Sequence, residues 1–315
     1  MSTAVGSVRS ASSERTDRAR TAQFPPVGET PLRSLSKLVG SYGGSFELSV
    51  KLEFLNPSGS VKDRAAAQIV RTALTAGQLS GGKTLIDASS GNTAVAYSML
   101  GYRLGFPVEL CLPRNAHPER VQRIRFFGAT IVFTDPLEGT DGAQREARRK
   151  AAAEPDRYFY PDQYNNPSNP EAHYLTTGPE IWRQADGRIT HFVAGVGTGG
   201  TISGTGRFLK EQRADVQVIG VEPAGPFHGL EGLKHLPTAQ LPSTYDARIV
   251  DRTVRVETED AVNMRRRIAA EEGLTVGLSS AAAVLAALEF GRGTPGVQIV
   301  TIVADAGHGA PEGGP

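Results

Sequence analysis

From residue 46 onward, short apolar runs alternate with longer stretches in which apolar residues recur at helical spacing. The runs 46–54, 84–88, 108–112, 130–133, 158–160, 191–195, 216–221 and 297–303 predict strands. The periodic stretches 62–76, 92–104, 118–127, 142–153, 200–212, 258–272 and 279–289 predict helices. Strand followed by helix, repeated, is the pattern of an α/β protein with largely parallel sheets flanked by helices. Two stretches break the pattern. Residues 164–170, Tyr-Asn-Asn-Pro-Ser-Asn-Pro, oppose both helix and strand and predict a crossing between domains. Residues 223–245 hold four prolines and several glycines without periodicity, which predicts a functional loop.

Composition then narrows the partners. With 39% hydrophobic residues in 315, the chain can build one large domain or two of ordinary size. Lys and Arg number 34 against 33 Asp and Glu, a formal net charge of +1. No overall field favours nucleic acid or an anionic membrane, which leaves small molecules or another protein. The single cysteine, Cys111, excludes an intrachain disulfide and a thiolate metal cluster and fits a reducing cytoplasm. Within Val-Glu-Leu-Cys-Leu it reads as a small core hydrophobe. No apolar stretch approaches the ~20 residues of a membrane span. Residues 1–22, rich in Ser, Thr, Ala and Arg, lack the apolar centre of a secretory signal and predict a loose arm, although such a start also resembles an organelle transit peptide. Residues 307–315 predict a frayed end.

Three glycine-punctuated segments carry the candidate chemistry. The first, Asn56-Pro57-Ser58-Gly59-Ser60-Val61-Lys62-Asp63-Arg64, sets Lys62 between a predicted strand and a predicted helix. Lysine is out of place at the positive end of a helix dipole. Burial, that dipole and Arg64 close by would lower its pKa, as a nucleophilic or Schiff-base lysine requires. Taken alone Lys62 reads as solvated charge; beside the other two segments the balance reverses. In Gly197-Thr198-Gly199-Gly200-Thr201, glycine-freed amides, a helix N-terminus and two hydroxyls suit a dianionic phosphate, although a tight turn without ligand explains the loop alone equally well. It is neither a dinucleotide G-x-G-x-x-G nor a nucleotide P-loop. Ser89-Ser90-Gly91-Asn92-Thr93 also opens a predicted helix, so its hydroxyls and amides can hold a carboxylate, cap the helix, or do both.

Lysine, polar loop and phosphate-type loop, in that order, resemble the two-domain fold-type II pyridoxal-phosphate enzymes (tryptophan synthase β-like), and within them the cysteine synthase (O-acetylserine or O-phosphoserine sulfhydrylase) family. The matches run from Gly28 to about Gly307. The resemblance implies pyridoxal 5'-phosphate attached to Lys62, its phosphate on Gly197, Thr198, Gly199, Gly200 and Thr201, its ring hydroxyl on Asn92 and its ring nitrogen facing Ser279. It implies a substrate carboxylate held by Ser89, Ser90, Gly91, Thr93 and Gln163, and no metal. Lys234 matches a position where the phosphoserine-using members carry a basic residue. Ser89 stands for the family's Thr and Ala94 for its Gly, departures that bear on the substrate; Glu29 replaces an Asn in Gly28-Glu29-Thr30-Pro31-Leu32, and the usual C-terminal tail that would supply a flap is missing. The implied domains are a smaller mobile substrate-binding one at 60–165 and a larger cofactor-binding one from 23–59 with 166–315. The implied enzyme is a cytoplasmic homodimer acting by β-replacement on an activated serine, with sulfide or a sulfur-carrier protein as sulfur source, to give L-cysteine. Open beside it stand an amine or other nucleophile in a specialised pathway, serine or threonine dehydration, cystathionine formation, and a non-catalytic homologue that binds partners.

Overall fold

The structure, a computed structural model, describes residues 24–89 and 91–307. The expected arm at 1–22, Ser90 and the chain beyond Gly307 lie outside the described residues. Two sheets form. The six-stranded one is built from β1 (Leu32–Ser34), β2 (Glu47–Leu52), β7 (His191–Gly195), β8 (Gln217–Pro223), β9 (Arg252–Val256) and β10 (Gln298–Val303), in the order β1-β2-β10-β7-β8-β9. Its neighbours are parallel except β1 with β2. The four-stranded sheet, β3 (Thr84–Ala88), β4 (Val108–Pro113), β5 (Thr130–Thr134) and β6 (Tyr158–Phe159), is parallel throughout, in the order β5-β4-β3-β6.

Period-two alternation gives each sheet two apolar faces. From β10 and β7, Ile299, Val303 and Val193 join a core with α1 (Ser36–Ser41), α9 (Thr258–Glu272) and α10 (Leu278–Arg292). Val300, Ile302, Phe192 and Ala194 point the other way, against α7 (Gly178–Gln184) and α8 (Gly200–Gln212). In the smaller sheet Leu85, Leu110 and Leu112 pack on α2 (Lys62–Thr75), α3 (Asn92–Leu104) and α4 (Pro118–Phe126). Ile86 and Ala88 face α5 (Gly139–Ala153), and Cys111 lies with them, fully buried. Burial pushes its thiol pKa up to about 12, which suits packing and not nucleophilic chemistry.

The predicted crossing at 164–170 does not stay irregular. From Ser168 the chain enters α6 (Ser168–Ala172), a π turn (His173–Thr177) and then α7. Pro170 is tolerated because the first turn of a helix needs no backbone donor, and the Ser168 N–H, freed at that start, donates to Asn166 Oδ1 at 3.0 Å. Residues 224–251, by contrast, form no helix or strand, as the proline count predicted.

Candidate active site

The parallel strands end on one side of a cavity of about 370 Å³, a volume in the range of small-molecule sites. Lys62 enters from the first turn of α2, the 89–93 loop from the end of β3, the 197–201 loop from the end of β7, and Ser279 and Ser280 from the start of α10. Carboxyl ends of parallel strands are where an α/β fold leaves backbone amides and short loops available to a ligand.

The entry to α2 is rigid. Asp63 accepts from the Ser58 N–H at 2.6 Å and from the Ser58 hydroxyl, and the Lys62 N–H donates to Ser60 Oγ at 3.2 Å. Burial lowers the pKa of Lys62, and the charge of Asp305 raises it. The expected contribution of Arg64 is absent for a geometric reason. The Arg64 guanidinium turns away and donates to Glu53 at 2.6 and 2.7 Å and to Glu180 at 2.7 and 2.8 Å. Desolvation, not a neighbouring cation, is what depresses the Lys62 amine.

The phosphate-type loop needs its glycines because protein packs against it. A Cβ on Gly197 would lie 2.1 Å from the Gly232 carbonyl oxygen, and one on Gly200 would lie 2.0 Å from Asn169 Oδ1; Gly199 has φ +84°. Its hydroxyls are held as well. Asn169 Nδ2 donates to Thr198 Oγ1 at 3.1 Å, and Thr201 Oγ1 lies 3.1 Å from His173 Nε2. Burial keeps the His173 pKa well below the usual value, so its ring is neutral at neutral pH.

Among the described residues, no serine side chain caps α3 or α10. The N-cap of α3 is Gly91 and that of α10 is Gly277, and neither helix has a side-chain cap. The Ser89 hydroxyl instead accepts from the Gly91 N–H at 3.2 Å. In the first turn of α3 the Ala94 N–H is taken by the Gly91 carbonyl at 3.1 Å, and the amides of Asn92 and Thr93 are the ones such a helix start offers to a ligand. Thr93 donates to Gln163 Oε1 at 2.8 Å, which leaves Gln163 its amide hydrogens to offer a carboxylate. Ser280 Oγ accepts from the Ala304 N–H at 2.9 Å, while its neighbour Ser279 lines the cavity. Lys234 also lines the cavity, its Nζ 5.0 Å from the Tyr164 ring centre.

Lys62, Ser89, Gly91, Asn92, Thr93, Gln163, Gly197, Thr198, Gly199, Thr201, Lys234 and Ser279 thus share one cavity, and Gly200 adjoins it in the same loop. The cavity wall also carries Asp305, Arg120 and Glu231, which the motifs do not single out. Arg120 of α4 and Glu231 of the 224–251 stretch form an ion pair at 2.7 Å. The signal for Asp305 was its place two residues past a parallel strand; Asn169, the bridge between Gln163 and Thr198, was hidden in a segment read only as a breaker.

Residues 24–305 match the family described as pyridoxal-phosphate dependent enzyme. The chain is 49% identical over 297 residues to a cysteine synthase of Aquifex aeolicus, covering 92% of this chain and 90% of that protein. The chain belongs to the pyridoxal-phosphate-dependent enzyme family. It is also 42% identical over 281 residues to cysteine synthase B of Salmonella typhimurium, covering 89% of this chain and 91% of that one. The solved structure of a cysteine synthase from Entamoeba histolytica superposes with a TM-score of 0.86 at 31% identity, covering 98% and 91% of the two chains. The site fits the family's cofactor on its own geometry: an amine of lowered pKa, a glycine loop at a helix start and a side-chain amide around one cavity. No helix among the described residues is long and apolar enough to cross a membrane.

Proposed function

We propose that this chain makes L-cysteine by β-replacement on an activated serine, O-acetylserine or O-phosphoserine, with sulfide or a sulfur-carrier protein as the sulfur source. The observation that carries the reading is the meeting of Lys62, the 89–93 loop and the 197–201 loop on one cavity. When bound, pyridoxal phosphate supplies an electron-accepting ring for the electron pair left at the substrate Cα. Lys62 Nζ, its pKa lowered by burial, is the amine that would hold the cofactor and the base that would take the substrate Cα proton. Gly197, Thr198, Gly199, Gly200 and Thr201, at the start of α8, hold the phosphate. Asn92 and Ser279 both line the cavity; Asn92 would hold the ring hydroxyl and Ser279 would face the ring nitrogen. A hydroxyl there in place of a carboxylate moderates the ring's electron demand, which favours elimination and addition at Cβ over transamination.

Ser89, Ser90, Gly91, Thr93 and Gln163 take the substrate carboxylate, and Lys234 faces the group that leaves Cβ. Residues 60–165 act as the smaller, moving substrate-binding domain, and 23–59 with 166–315 as the cofactor-binding one. A homodimer in the cytoplasm completes the reading by family likeness. The test is cysteine formation by the cofactor-loaded protein from sulfide with O-acetylserine, O-phosphoserine or free serine. The reading requires cysteine from at least one activated donor and little from serine; no cysteine from either activated donor rejects it.

A further inference from the structure

The three groups assigned to the cofactor's reactive end, Lys62, Asn92 and Ser279, sit in the first turns of three different helices, α2, α3 and α10. One short segment after β10 ties all three starts together. The Val61 N–H donates to the Ala304 carbonyl at 2.8 Å, and Ser60 forms an antiparallel bridge with Asp305. The Gly277 N–H donates to the Asp305 carbonyl at 3.1 Å, and the Ala304 N–H donates to Ser280 Oγ at 2.9 Å. Asn92 Nδ2 donates to Asp305 Oδ2 at 2.6 Å, and the Gly307 N–H to Asp305 Oδ1 at 3.0 Å. Gly277 has no room for a side chain, since a Cβ there would lie 2.1 Å from Asp305 Oδ1. The carboxylate is therefore fixed from three directions, and it opens on the same cavity as Lys62.

We propose that Asp305 is a positioning residue of this site: its carboxylate fixes the Asn92 amide and presents a negative charge to the Lys62 nitrogen. The proposal rests on the pyridoxal-phosphate reading of the cavity. An anion here opposes the effect of burial on Lys62, whose pKa burial lowers and Asp305 raises. The other titratable group coupled to Lys62 is His173 of the π turn, which burial keeps neutral. Arg64, on the same helix as Lys62, is occupied by Glu53 and Glu180. Arg120, Glu231 and Lys234 line the same cavity, and Arg120 and Glu231 pair with each other. Asp305 thus favours the protonated form of the nitrogen that links lysine and cofactor, the form that a substrate amine attacks, and holds Asn92 where it meets the ring.

Holoenzyme variants Asp305→Asn and Asp305→Ala separate the two tasks. Asparagine keeps an acceptor for Asn92 and drops the charge; alanine drops both. Visible absorbance followed against pH reads the proton on the linking nitrogen, and gel filtration followed by absorbance reads cofactor retention. Both variants should lose that proton at a pH lower by about one unit or more than wild type. Asp305→Ala alone should also release cofactor several-fold faster. Titrations that coincide with wild type in both variants overturn the charge role, and equal cofactor release from all three proteins overturns the positioning role. Because Asp305→Asn is isosteric, it tests the charge role even where the alanine variant fails to fold. Wild-type protein that binds no cofactor would instead overturn the underlying reading, so the two failures are distinguishable.

Discussion

Two lysines of this chain are removed from bulk water, and their surroundings give them opposite uses. Lys51 Nζ donates to the Thr30 carbonyl and to Gln184 Oε1 at 2.9 Å, and pairs with Glu180 at 2.6 Å. Every donor is spent, so Lys51 is a structural cation. Lys62 opens on the cavity, and the sequence singled it out only in company: alone it reads as solvated charge, and the 89–93 and 197–201 segments reverse the balance. Its immediate electrostatics were not legible, because Arg64 is drawn off by Glu180, 116 residues away in sequence. Lys234 lines the cavity, and we propose that donor choice turns on it. A charge-assisted contact with phosphate is worth about 1.5–3 kcal/mol, so Lys234→Ala should raise the KM for O-phosphoserine by roughly tenfold or more and leave that for O-acetylserine nearly unchanged. Steady-state kinetics with the two donors checks it, and equal losses would return Lys234 to a purely structural place beside Tyr164.

Among elements, β3 carries a feature with a measurable pH signature. Asp87 is buried near its end; Oδ1 accepts from the Ala88 N–H at 2.7 Å, and Oδ2 has no partner among the described residues. Burial lifts its pKa to about 8 from the ordinary 3.8. The folded chain thus keeps Asp87 protonated at pH 7, where the unfolded chain ionises it. The stability this group contributes is complete below about pH 4 and is lost as pH rises through about 8. Asparagine does not titrate. The melting temperature of Asp87→Asn should therefore gain on wild type between pH 5 and pH 9, by on the order of a few degrees; an unchanged gap would mean that Asp87 is ionised in the fold. The strands and helices read from periodicity were, apart from the two-residue β6, the longer ones with apolar faces. Those that escaped were β1, only three residues long, the edge strand β9 with its exposed arginines, α1, and the run from α6 to α7, where proline and asparagine hide a helix that tertiary packing completes.

At the scale of the molecule, the two sheets meet around the cavity through contacts that no local pattern announces. Asn92 and Asp305 are 213 residues apart, and Arg120 reaches Glu231 across 111. Below the cavity, Arg64 of α2 is gripped by Glu53, just past β2, and by Glu180 of α7. Burial opposes ionisation of Glu180, yet Arg64 and Lys51 hold its pKa at about 2. Arg64→Met would leave buried carboxylates without their cation, and urea denaturation should show a loss of about 3–5 kcal/mol; a loss below about 1 kcal/mol would mean that water or Lys51 replaces the pairing. What the chain revealed in advance was therefore the part of the cavity lining carried by contiguous motifs; its assembly, and residues such as Asp305 and Asn169, depend on long-range pairs. The central claim, that Lys62 holds the cofactor where these pieces meet, is tested most directly by borohydride reduction of the pyridoxal-phosphate-loaded protein and mapping of the labelled peptide. The cofactor should be fixed on Lys62 and lost in Lys62→Ala, whereas a label on another lysine, or none, would contradict the account.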